Sequence, residues 1–171
     1  IIPVQLVFFQ HIGGLPLYIV DDLKYTTAAF GLLSAINTVL IILFEVPLNE
    51  IMSKLSYKHS IFIGSLLAAI GYGAMAAARD LFSIIITIII WTFGEIIFFP
   101  VSAAYVSEAA PNHKRGEYMG YFQMTFSFAL SAGPWLGTVI YEHFGSIILW
   151  LSAFAMGLIT ALLVLFVNEK A

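Results

Sequence analysis

The sequence predicts an all-α polytopic membrane protein with six transmembrane helices, and three observations carry that reading. Of its 171 residues, 61% are hydrophobic and only 10% are charged, and the mean hydropathy is +0.98, a balance unlike that of a soluble domain. The apolar residues gather into six runs, each close to the roughly 20 residues a helix needs to cross the hydrocarbon layer. Inside these runs, as in Ile84 to Ile90, the residues do not alternate, so helices rather than barrel strands are expected to satisfy the backbone in lipid.

The first span is expected over 2–20, with Gly13, Gly14 and Pro16 positioned to bend it. The turn Asp21-Asp22-Leu23-Lys24 leads into the second, 27–48. The third, 60–78, carries the packing residues Gly64, Ala68, Gly71 and Gly73. Arg79-Asp80 separates it from the fourth, 81–106. The fifth, 119–141, and the sixth, 147–167, are joined by Glu142-His143-Phe144-Gly145. Two longer loops, 49–59 and 107–118, alternate with the short turns, as expected if they lie on opposite membrane faces. The whole of 1–171 reads as one domain.

Positive residues set the orientation. Lys54, Lys58, Lys114, Arg115 and Lys170 share one side, Lys24 and Arg79 the other, and five against two places the longer loops and both ends in the cytoplasm. The chain opens with Ile1 almost inside an apolar helix, without initiator Met or charged leader, so it is expected to be a piece of a longer protein. The first run is no signal peptide, lacking a basic leader and preceding five more spans. There is no Cys, which removes disulfides and thiolate metal sites. No cofactor or metal is expected, no basic patch suits nucleic acid, and no Ser/His/Asp grouping, H-E-x-x-H or phosphate loop points to an enzyme.

Polar residues are concentrated in four spans. The first has Gln10 and His11, the second Ser34, Asn37 and Glu45, the fourth Thr87, Glu95 and Ser102, and the fifth Gln123, Ser127 and Ser131. On the fourth, Trp91, Glu95, Phe98, Ser102 and Tyr105 share one helical face. On the fifth, Gly120, Gln123, Ser127, Ser131, Pro134 and Thr138 form a comparable stripe. Four helices therefore have a face suited to a cavity, and the third and sixth look lipid-facing.

Along its whole length the chain resembles the major facilitator superfamily, specifically the C-terminal six-helix half of a drug or metabolite antiporter. Gly120, Ala129, Gly133-Pro134 and Gly137-Thr138 follow the spacing of that family's antiporter motif, G-x8-G-x3-GP-x2-GG, with Ala129 and Thr138 in place of two glycines. The segment Pro47 to His59, PLNEIMSKLSYKH, stands where the family's G-x-x-x-D-R-x-G-R-R loop would be and keeps only the basic Lys54 and Lys58. The resemblance implies one half of a major-facilitator bundle, with the N-terminal six-helix half of the same polypeptide as its partner. It also implies a small-molecule substrate, protons, and a place in the bacterial inner membrane.

The residues singled out have two readings each. Glu95 either handles a proton or substrate or is a neutral hydrogen-bonded packing residue, since a charge in mid-span has to face protein or water. His11, beside Gln10, either titrates or meets a substrate, or satisfies backbone groups freed by the bend. Asn37 and Gln123 read as ligand contacts or as interhelical hydrogen bonds. Trp91, Phe98 and Ser127 complete the expected substrate and proton pathway. Glu45 either pairs with Lys114 or Arg115 as a gating latch or is a solvated acid. Gly133-Pro134 reads as a bend that shapes the path or as a static kink. The preferred expectation is proton-coupled export of a small amphipathic molecule by alternating access. Uptake of a sugar or other metabolite, and a non-transporting sensor or assembly module, are the alternatives.

Overall fold

A computed structural model describes residues 1–166, and among them the chain is helical apart from short connections. Four of its helical segments, Ile2–Asp22, Thr27–Met52, Leu81–Ala109 and Asn112–Leu165, are long and apolar enough to cross a membrane. Lys170 and the last residue of the expected sixth span lie outside the described residues.

Helix α1, Ile2–Asp22, is broken. It is α-helical over Ile2–Phe8 and Gly14–Leu17, 3₁₀ over Phe9–His11 and π-helical over Tyr18–Asp22. Pro16 cannot donate to the turn before it, and Gly13-Gly14 supplies no side chain to resist the bend. Helix α2, Thr27–Met52, starts where the Thr26 hydroxyl caps Ala29 N–H, and it runs past Pro47 without stopping. Helix α3, Tyr57–Ala74, begins at the Ser56 cap. Helix α4, Leu81–Ala109, opens with a reciprocal Asp80 and Ser83 capping box and contains Pro100.

The final helix, α5, runs over Arg115–Leu165 with one non-helical residue, Gly145, at φ 82° and ψ 169°. This corrects the expected turn over 142–145. Glu142, His143 and Phe144 stay helical, because a backbone conformation that side chains rarely adopt concentrates the whole reversal in one glycine. The reversal is read from contacts with α1. Leu6 and Phe9 lie against Gly133, Gln10 against Gly137 and Asp22 against Tyr141, whereas Gly14 lies against Leu149 and Ile1 lines a cleft with Val164. The N-terminal arm of α5 (115–144) thus runs parallel to α1 and the C-terminal arm (146–165) antiparallel.

Small residues set the spacing of the rest. Against α4, a methyl group on Gly71 would sit 2.6 Å from the Trp91 nitrogen, one on Gly94 2.8 Å from the Gly64 carbonyl oxygen, and one on Gly64 3.0 Å from Phe98 Cβ. Gly157 and Gly73 bring the C-terminal arm equally close to α3, at Ala69 and Phe154. The third helix was expected to face lipid. Instead its small-residue face is buried, from Ser60 through Gly64 and Ala68 to Tyr72. The least enclosed helix is α2, where only Leu33 is buried and Leu32, Ile42 and Val46 are largely exposed.

The two longer connections meet at one end of the bundle, where the Tyr57 hydroxyl donates to Glu108 Oε2 at 2.5 Å. The short ones meet at the other, where Arg79 donates to the Tyr18 hydroxyl at 2.9 Å and Tyr141 donates to Asp22 at 2.6 Å.

Candidate functional site

The polar residues of α1, α2 and α4 converge in mid-bundle. Asn37 of α2 splits its two amide hydrogens between Glu95 Oε2, at 2.9 Å, and Thr92 Oγ1, at 3.0 Å. Thr92 and Glu95 are three apart on α4, so one face of that helix presents both acceptors. His11 lies within electrostatic reach of Glu95. Its ring stacks on Trp91, centroids 6.0 Å apart, and Trp91 stacks in turn on Tyr72 of α3 at 5.1 Å. Asn37 and Glu95 are both partly accessible, whereas Trp91 is buried.

The break in α1 determines how His11 is held. The Phe8 carbonyl, released from regular helix pairing, accepts from His11 Nδ1 at 2.7 Å and from the Tyr72 hydroxyl at 2.8 Å. A carbonyl only accepts, so Nδ1 carries the hydrogen, and in the neutral ring Nε2 keeps a lone pair that can take a proton. The bend and the titratable group are therefore parts of one arrangement. The hydrogen bond to the Phe8 carbonyl is the contact expected of a His11 that satisfies backbone freed by the bend.

The other sequence-singled residues divide into two groups. Gln10 is buried and donates through Nε2 to Gly133 O at 2.8 Å and Leu6 O at 3.0 Å, with its amide oxygen pressed against Gly137. It ties α1 to the N-terminal arm of α5. Pro134 lies against Gly13, and Ala129, Gly133 and Gly137 form a buried stripe facing α1. Phe98 is fully buried against the Phe8 and Phe99 rings. Gln123, Ser127 and Ser131, by contrast, are exposed on the opposite side of that arm. The single stripe expected on the fifth span is thus two faces, one packed on α1 and one open.

Glu45 is exposed on α2, its carbonyl accepting from Asn49. Among the described residues no ion pair joins it to Lys114 or Arg115, both of which are exposed, so the latch between them is not formed here. The contact at that end is instead Tyr57 with Glu108, at the edge of a cavity of about 1180 Å³ lined by Asn49, Ser53, Tyr57, Val101, Tyr105 and Glu108. Glu108, accepting the hydrogen bond, holds the Tyr57 hydroxyl above the ordinary tyrosine range, and burial adds to the shift.

Sequence reasoning missed Thr92, Tyr72 and the Phe8 carbonyl. The spacing of Thr92 to Glu95 was legible, as was a lone Tyr among the small residues of the third span. The role of the carbonyl follows only from the bend.

Comparison with known proteins supplies the setting. A family model described as the Major Facilitator Superfamily matches residues 4–171. The chain is similar to three uncharacterized MFS-type transporters of Bacillus subtilis (strain 168). To YttB it is 24% identical over 152 residues, 88% of this chain and 38% of that protein. To YqjV it is 23% identical over 120 residues, 70% and 29%, and to YhjO 27% over 128, 75% and 32%. It spans between 29% and 38% of the length of these relatives. Crystal structures of a POT family transporter, one in complex with 5-aminolevulinic acid and one with a thioalcohol-conjugated peptide, superimpose on 96% of this chain and 39% of theirs. Both have a TM-score of 0.79 at 18% identity, a likeness of fold.

Proposed function

Because the chain belongs to the major facilitator superfamily, a family of transporters rather than enzymes, we propose that it is the C-terminal six-helix half of a proton-coupled secondary transporter. The two arms of α5 count as separate spans, since they run antiparallel across Gly145, and α3, enclosed between α4 and the C-terminal arm, makes the sixth. Both ends and the longer loops lie in the cytoplasm, following the positive residues, and the membrane is the bacterial inner membrane. The exposed sides of α2 and of the N-terminal arm of α5 face the partner half, and substrate binds between the halves near the midplane.

The observation that carries this reading is the Asn37, Thr92 and Glu95 group beside His11. A carboxyl group held in mid-bundle by the Asn37 amide, with an imidazole stacked on Trp91 one helical turn away, is suited to take up and release a proton. Binding or release of that proton changes the charge between α1, α2 and α4, and so biases which way the bundle rocks. Export of a small amphipathic molecule is the favoured direction. The antiporter-like Gly133-Pro134 and Gly137 lie where α1 and the N-terminal arm pack without room for water. Uptake of a sugar or metabolite would draw its hydroxyl contacts from Gln10, Asn37 and Gln123, of which Gln10 is committed through its amide nitrogen to two backbone carbonyls.

The test uses the full-length protein in inverted membrane vesicles, following a preset proton gradient by dye fluorescence as drugs and sugars are added, with Glu95→Gln alongside. Compounds that dissipate the gradient in wild type and leave the variant silent are the expected result. A variant that responds like wild type removes Glu95 from the mechanism.

A further inference from the structure

His11 is supported in two ways by one residue of another helix. The Tyr72 hydroxyl of α3 donates to the Phe8 carbonyl at 2.8 Å, the same oxygen that accepts from His11 Nδ1 at 2.7 Å. The Tyr72 ring stacks on Trp91 at 5.1 Å and Trp91 on the His11 imidazole at 6.0 Å, each pair 24° from parallel. Tyr72 thus supports both the acceptor that His11 uses and the indole on which its ring lies. Its hydroxyl is aimed by its surroundings. Tyr72 is fully buried, and its ring also stacks on Trp150 at 6.3 Å and meets the edge of Phe8 at 6.2 Å. The preceding residue is Gly71, whose missing side chain lets α3 come close enough to Trp91 for the two rings to stack. A side chain packed on this many sides has little freedom to turn its hydroxyl elsewhere.

The Phe8 carbonyl depends on that hydroxyl. In a regular α-helix this oxygen would accept from the N–H of Ile12, four residues on, but Ile12 N–H pairs with Phe9 O at 3.1 Å in the 3₁₀ stretch. The freed oxygen has two lone pairs, and Tyr72 and His11 are the donors that fill them. Without the phenol, the turn is free to close again on Ile12, which draws the carbonyl back along the helix axis and away from the imidazole. With Nδ1 unpartnered, both tautomers of the neutral ring become open.

We infer that Tyr72 is a positioning residue for His11: by holding the Phe8 carbonyl off the axis of α1, it keeps the ring hydrogen on Nδ1 and leaves Nε2 as the one ring atom open to an arriving proton. A phenol that merely satisfied itself on a nearby carbonyl would have no bearing on the tautomer. The consequence for transport rests on the proposed proton coupling, whereas the placement of the hydrogen does not.

Solid-state ¹⁵N NMR of the full-length, histidine-labelled protein in lipid at pH 9, above the ordinary imidazole range, tests it, because a ring nitrogen that carries hydrogen and one that keeps its lone pair resonate far apart. The signal missing from His11→Gln identifies His11. In wild type the hydrogen is expected on Nδ1. Tyr72→Phe keeps the ring and loses the hydroxyl, and it is expected to reduce the Nδ1–H fraction at least twofold. Gly145→Ala, whose added methyl group meets nothing within 4 Å, loosens the fold without touching Tyr72 and is expected to keep the wild-type tautomer. A wild-type His11 with its hydrogen on Nε2 overturns the inference whether or not the variants fold. So does a Tyr72→Phe protein with the wild-type tautomer, and so does a Gly145→Ala protein that shifts as far as Tyr72→Phe. The measurement needs no proton gradient, so it fails or holds independently of the vesicle assay that tests coupling.

Discussion

Replacing Gly71 by Ala tests the central packing of the bundle most directly. The added methyl carbon would stand 2.6 Å from both the backbone nitrogen and the Cβ of Trp91 and 2.9 Å from its Cα. Carbon atoms rest at about 3.5–4.0 Å, so α3 and α4 have to part by roughly 1 Å. None of the atoms met is the free end of a flexible side chain, so rotation cannot relieve the overlap. Overpacking of this kind costs about 1–3 kcal/mol, and Ala recovers about 0.5–1 of it by stiffening the helix. The net loss is on the order of 1–2 kcal/mol, close to a tenfold fall in the ratio of folded to unfolded protein. The control is Gly116→Ala, where a methyl group meets nothing within 4 Å, so that only the helix gain remains. Thermal unfolding of the full-length protein in detergent, followed by tryptophan fluorescence because Trp91 is the group displaced, should show Gly71→Ala melting below wild type and Gly116→Ala at or above it. Equal melting temperatures for the two variants, or a Gly71→Ala protein as stable as wild type, would refute the close approach of α3 and α4.

Three further outcomes are expected. Gly145→Ala places a side chain at φ 82° and ψ 169°, a conformation costing about 1–3 kcal/mol for residues other than Gly, so it should lower the melting temperature although a methyl group there has open space around it. The phenol of Tyr57, titrated by carbon NMR of tyrosine-labelled protein, should lose its proton at higher pH than an ordinary tyrosine, and Glu108→Gln should bring it back down. The hydrogen bond to Glu108 holds while Tyr57 is protonated, so Tyr57→Phe should have the same effect at pH 6 and pH 9, any loss of the contact beginning only above the usual tyrosine range.

The face of the fourth span was legible from spacing alone. Trp91, Glu95, Phe98 and Ser102 do lie on one side of α4, because a 3.6-residue repeat constrains them whatever surrounds the helix. What they meet was not legible. Their partners come from α1, α2 and α3, and the register between helices depends on where glycines allow close approach. Gly71 against Trp91 and Gly94 against Gly64 set that register, and composition gives no hint of which glycine serves which neighbour. The fifth span shows the same limit from the other side. Pro134, Gln123 and Ser127 looked like one stripe, yet the glycines at 133 and 137 turn their side toward α1 and leave Gln123 and Ser127 open. Gln10 was read as a pathway residue because polar groups in lipid are rare. Its place against Gly133 and Gly137 follows from the face it shares with Leu6, four residues earlier, which meets the same arm of α5.

The adjacent glycines of α1 touch different arms of α5: Gly13 abuts Pro134 on one arm and Gly14 abuts Leu149 on the other. Since a single residue, Gly145, joins those arms, they act as the two jaws of a vice with no slack at the hinge, gripping α1 at its weakest point. A change in the break of α1 therefore presses on Pro134 and Leu149 together and is felt on both arms at once.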